Sequence, residues 1–143
     1  MTVADLAVET RLVLLAGGFV FVWALALGVV KYAQISRSPQ AQAHIYIDIA
    51  HRAALMYSFA ILLIAVFAEL SDWPTVVDLA AAFVQIFFFV AAIASYTWHG
   101  LRRDTDNQLR HPSGALTGFM IALIIGEIGG FVVLLAGFVH AWA

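Results

Sequence analysis

Three side chains with acid–base or ligand chemistry, His44, Asp48 and His51, are spaced i, i+4, i+7, so on a helix they share one face. Leu55 and Ser58 continue the stripe, and Tyr57 lies beside it. The three stand at the head of an apolar run, where ionisable groups are costly and by default mark a functional site. Neutral imidazole is a common metal ligand, and its second nitrogen needs a partner to fix the tautomer. For His51 the candidate partner is Asp48, about one turn earlier; the competing role for Asp48 is an i, i+4 ion pair with Arg52. His51 lies roughly 9 Å below the start of its helix at 1.5 Å per residue. His44, His99 and His111 lie at the same boundary, where solvation alone can account for them, and His140 lies at the far end. The 44/48/51 spacing suits a metal, but one helix rarely completes a coordination sphere, and no second histidine pair falls inside an apolar run.

A second set lies deeper. Counted along their helices, Tyr57, Gln85 and Glu127 all fall near the midplane, roughly 18–20 Å down. Gly17 and Gly18 lie at the same level and leave room. A carboxyl group at that depth is expected to keep its proton. It serves either as an interhelical hydrogen-bond donor, to Gln85 or a backbone carbonyl, or as part of a substrate cavity.

The elements that carry these residues follow from four apolar runs. Helices are expected over about 12–30, 45–70, 76–98 and 114–141, each long enough to span a bilayer. Asp5, Glu9 and Arg11 precede the first run in place of a basic leader, so it reads as a retained helix despite the Ala24–Leu25–Ala26 sequence. Asp72 or Thr75 is placed to cap the third helix. The fold class is therefore all-α: a single domain, residues 1–143, forming an integral membrane bundle of four transmembrane helices.

Composition supports this. Of 143 residues, 64% are hydrophobic and 11% charged, more apolar surface than a soluble domain of this size can hide. A net charge of −2 without a basic patch argues against nucleic acid. With no cysteine, thiolate ligands, iron–sulfur clusters and cysteine nucleophiles are excluded. There is no phosphate-binding glycine loop, GxSxG elbow or HExxH motif. The mixed-charge segment 102–108 could hold Mg²⁺ or a phosphate, but reads more simply as a solvated loop. Lys31, Arg37, Arg102, Arg103 and Arg110 all fall in the first and third connections. The positive-inside rule then predicts loops 31–44 and 99–113 in the cytoplasm and both termini outside a cell (inner) membrane.

In the fourth helix Gly114, Gly118, Ala122, Gly126 and Gly130 recur every fourth residue. Small residues at that spacing let another helix approach closely. The seam is expected within the bundle or between protomers, with accommodation of a flat cofactor as the alternative.

In length, in its four spans and in an Ala50–His51 step at the head of the second helix, the chain resembles the small membrane isomerases typified by styrene oxide isomerase and hydroxylaminobenzene mutase. Ala53–Ala54–Leu55–Met56–Tyr57 follows that step. The resemblance implies a haem b held by His51 in a trimer, with ferric iron acting as a Lewis acid on an epoxide oxygen. Tyr57 stands where the family has Asn, and the family's third-helix Asp and Tyr have no clear equivalent here unless Gln85 serves. The expectation is thus a homo-oligomeric haem b protein in the lipid bilayer, isomerising a small apolar epoxide that arrives from the membrane. His51, Asp48 and His44 would lie at the cofactor, and Tyr57, Glu127 and Gln85 would orient substrate or move a proton. Two rivals remain: a cytochrome b-type electron carrier with His51 and His99 as axial pair, and a non-catalytic accessory subunit packing through the glycine seam.

Overall fold

The computed structural model describes residues 2–143. After a short 3₁₀ turn at Val3–Asp5 come four helices: α1 (Val8–Arg37), α2 (Ile45–Glu69), α3 (Thr75–Arg102) and α4 (Gly114–Trp142). Each is long and apolar enough to cross a membrane, and no strand occurs among the described residues. Helices α2 and α4 end within a residue of the limits that hydropathy sets. Helices α1 and α3 run further, because hydropathy marks the edge of lipid whereas a helix stops where its backbone is capped. Helix α1 continues two turns to Arg37, a cation favourable at a helix C-terminus. Helix α3 continues past Trp98 until Arg103 adopts a left-handed conformation (φ 54°) and closes the last turn onto the His99 carbonyl. At 30 residues, α1 is roughly 45 Å long, enough to cross the hydrocarbon and both headgroup layers.

The topology is up-down-up-down. Helix α1 packs on α2, α2 on α3 and α3 on α4, with diagonal contacts between α1 and α3 and between α2 and α4. Val13, Val20, Ala24 and Leu27 of α1 meet Ile47, Ala50, Ala54, Ile61 and Ile64 of α2, and Ala82, Ile86, Phe89 and Ile93 of α3 complete the core. The alanines at the crossings bring the backbones close. At Gly100 a Cβ would lie 2.7 Å from the amide nitrogen of Ile47, so only glycine permits the α2–α3 approach there. Half of the apolar window of α3 is buried (50%), but only 11% of that of α4. Helix α4 is therefore a peripheral element with most of its circumference free.

The glycine stripe of α4 divides accordingly. Gly130 packs onto the Ala81 carbonyl, where a Cβ would come within 2.6 Å, and Gly126 packs onto the Phe88 ring. Gly114 and Gly118 have open space around them. The lower half of the stripe is thus an α3–α4 seam within the chain.

Candidate functional site

The six residues singled out by chemistry fall into two places. His51 lies half-buried in the seam between α1 and α2. Its Nδ1 is 2.9 Å from the carbonyl oxygen of Ala24. A carbonyl can only accept, so Nδ1 carries the proton and the lone pair of the neutral ring is on Nε2. The ring lies over Gly28, where a Cβ would be 3.1 Å from Cε1. Within the described residues Nε2 has no hydrogen-bond partner. Asp48 is directed elsewhere: one oxygen pairs with the Lys31 ammonium of α1, the other with Arg52 at 2.9 Å. The ring's anchor is thus a backbone carbonyl and not Asp48, which takes the i, i+4 ion pair. His44 caps α2, its Nδ1 accepting the Tyr46 amide at 3.3 Å, and stacks on the Tyr46 ring.

Two of the remaining histidines are engaged apart from this seam. The His99 ring packs at a tilt against Tyr46 and hydrogen-bonds Asp104 at 2.7 Å, a contact that holds the exposed Asp104 carboxyl below the usual carboxylate range. His140 meets Asp72 at the opposite end of the bundle. No group of three or more His, Asp or Glu among the described residues is arranged to hold a metal by itself. What the seam offers is one orientation-fixed imidazole nitrogen. One such nitrogen is too few to hold a metal ion by protein ligands alone.

Gln85 and Glu127 come together on the other side of α2, and Tyr57 stands behind the Phe89 ring that lines the same cleft. A cleft of about 390 Å³ between α2, α3 and α4 is lined by Ala60, Gln85, Phe89, Glu127, Ile128 and Phe131 among others. Oε1 of Glu127 is buried without a hydrogen-bond partner. Gln85, 3% exposed, donates to the Ala81 carbonyl of its own helix at 2.8 Å, so it does not hold the carboxyl. The Tyr57 ring stacks on Phe89 with centroids 4.2 Å apart, and its nearest ionisable neighbours are Glu127 and Tyr96.

Tyr96 is a member of this group that residue depth alone overlooked. Its ring stacks on Tyr46, whose hydroxyl accepts the Gln108 amide at 2.7 Å. Tyr46 thus links the third connection to the Tyr96 ring by one hydrogen bond and one ring stack. The signal was present: Gln85, Phe89, Ala92 and Tyr96 recur at i, i+4, i+7, i+11, a single helical face. Gly17 and Gly18, expected to leave room beside this cluster, instead line a separate groove between α1 and α2.

His51 and the Glu127 cleft therefore occupy different faces of α2 and do not converge within one chain. No protein family, curated protein or solved structure matches this chain.

Proposed function

We propose that this protein is a membrane-embedded haem b protein that isomerises a small apolar epoxide-like molecule without net redox change. The observation that carries the reading is the Ala24 carbonyl at 2.9 Å from Nδ1 of His51, which fixes the ring and presents Nε2 as a ligand lone pair. Bound at Nε2, a ferric haem supplies a Lewis acid for the substrate oxygen. The chain's own residues do the rest. The apolar walls of the α2–α3–α4 cleft take up a substrate from lipid and exclude water. The Glu127 carboxyl, with Oε1 buried and unpartnered, offers a point where a substrate oxygen can exchange a proton, with Tyr57 in its neighbourhood. Gln85, tied at Nε2 to Ala81, presents its amide oxygen as a fixed acceptor.

Because the histidine seam and the cleft face apart in one chain, this reading calls for a homo-oligomer. In a closed ring of copies the seam of one protomer meets the cleft of the next, an arrangement that head-to-tail contacts generate. The little-buried α4 supplies free surface for such contacts. The Lys- and Arg-rich end, carrying Lys31, Arg37, Arg102, Arg103 and Arg110, faces the cytoplasm of the inner membrane, with both termini outside.

The test is the absorption spectrum of protein purified from haem-replete cells. A Soret band is expected, lost in His51→Ala, partly restored there by imidazole, and intact in His99→Ala and His111→Ala. A wild-type preparation without haem ends the proposal. A low-spin spectrum that changes in His99→Ala would favour an electron carrier instead.

A further inference from the structure

The end of the bundle opposite Lys31, Arg37, Arg102, Arg103 and Arg110, where the exposed Arg11 is the one lysine or arginine among the described residues, holds a second polar centre, unrelated to His51. Asp78, in the first turns of α3, is 0% exposed, and neither carboxylate oxygen has a hydrogen-bond partner among the described residues. The polar side chains facing it are Ser71 and Glu9. Glu9 of α1 is itself 8% exposed, and its Oε1 accepts the Thr75 hydroxyl at 3.5 Å. Beside it in α1, Thr10 is 4% exposed, and its Oγ1 is a further buried oxygen with no partner. Glu69 is otherwise occupied, accepting the Ala7 amide that opens α1 at 3.1 Å. No ion pair among the described residues reaches Glu9, Glu69 or Asp78.

Burying a carboxylate without a partner is strongly unfavourable. The N-terminus of α3 carries about half a positive charge, which offsets part of one carboxylate but not two. The available donors are all hard oxygens, two carboxylates and the hydroxyls of Thr10, Ser71 and Thr75, with no imidazole among them. Such a set selects an alkaline-earth ion over a transition metal. Two negative charges are balanced by one divalent cation. Mg²⁺ gives up its waters reluctantly, so a closed site favours Ca²⁺. We propose that Asp78, Glu9, Thr10 and Ser71 form a Ca²⁺ site that clamps the start of α1 to the start of α3. It differs from a cluster of three acids or histidines, which the described residues lack, in drawing half its donors from hydroxyl groups.

The experiment is a thermal unfolding series on the full chain in detergent, stripped with a chelator and titrated with CaCl₂ or MgCl₂. Ca²⁺ should raise the unfolding temperature saturably, by about 5 °C, because it binds the folded state alone. Equal MgCl₂ should do much less. Asp78→Asn should abolish the response, and its own midpoint should equal or exceed that of Ca²⁺-free wild type, since the amide keeps the shape and removes the buried charge. Thr10→Val should lower the Ca²⁺ affinity by about tenfold, the loss of one neutral ligand. A flat wild-type response at millimolar Ca²⁺ overturns the proposal and means that protons neutralise these acids. So does a response that survives in Asp78→Asn. The wild-type titration decides even if a variant fails to fold, and because it needs no haem its outcome is independent of the His51 reading.

Discussion

The seam between α1 and α2 and the cleft between α2, α3 and α4 both carry ionisable groups into apolar surroundings, yet they treat them in opposite ways. In the seam each group is tied: His51 to the Ala24 carbonyl, Asp48 to Lys31 and Arg52. In the cleft Glu127 keeps a buried oxygen without a partner, and Gln85 bonds only to its own helix. A tied side chain holds one orientation, as a metal ligand must. An unpartnered acid facing an apolar space remains available to whatever enters. The difference separates a fixed donor from an exchangeable one, and the two can be perturbed separately.

The largest effect is expected from Gly28→Leu. A Cβ at that position would already stand 3.1 Å from Cε1 of His51, so a leucine must drive the ring off the Ala24 carbonyl. Most of the Soret absorbance should disappear while the protein still inserts in membranes; an unchanged spectrum would show that the orientation of the ring does not matter. Next comes Glu127→Gln, which keeps shape and neutrality but removes the exchangeable proton. Haem content and unfolding temperature should hold, while turnover of a small apolar epoxide falls by about 10²–10⁴-fold. Retained turnover would make Glu127 a packing residue. The smallest effect belongs to Asp48→Asn. With Asp48 engaged by Lys31 and Arg52 in a partly exposed network, a loss of roughly 0.2–1 kcal/mol is expected, seen as a small fall in unfolding temperature. Haem titration should give an affinity within about a factor of two of wild type. A 10–100-fold fall would instead make Asp48 the partner of the ring, and the seam would need redrawing.

Hydropathy made the four helices legible because a run of apolar residues has few other uses in so short a chain. It was silent on where α1 and α3 stop, since Arg37 and Arg103 end helices in water by capping and dipole effects. The position of His51 inside the apolar zone was likewise readable from spacing. Its partner was not, because a main-chain carbonyl such as that of Ala24 leaves no mark in the sequence, whereas Asp48 is conspicuous. Depth counting brought Tyr57, Gln85 and Glu127 to one level and the structure groups them. It gave no sign that His51, on the same helix as Tyr57, faces away from them. Asp78 escaped notice because it stands near a helix start, where an acid is unremarkable. Its i, i+7 relation to Gln85, on the inward face of α3, was the available clue.

The shallow burial of α4 has a consequence for assembly. Its inward residues are Gly130, Leu134 and Gly137, whereas the rest of the buried set belongs to α1, α2 and α3. As the chain emerges from the ribosome, those three helices can settle against one another before α4 is complete, since domains form in order of synthesis. Docking of α4 then becomes a separate, late event that erects the last wall of the Glu127 cleft. Until it happens the nascent protein has the histidine seam but no enclosed acid, so the two sites of each molecule come into being one after the other.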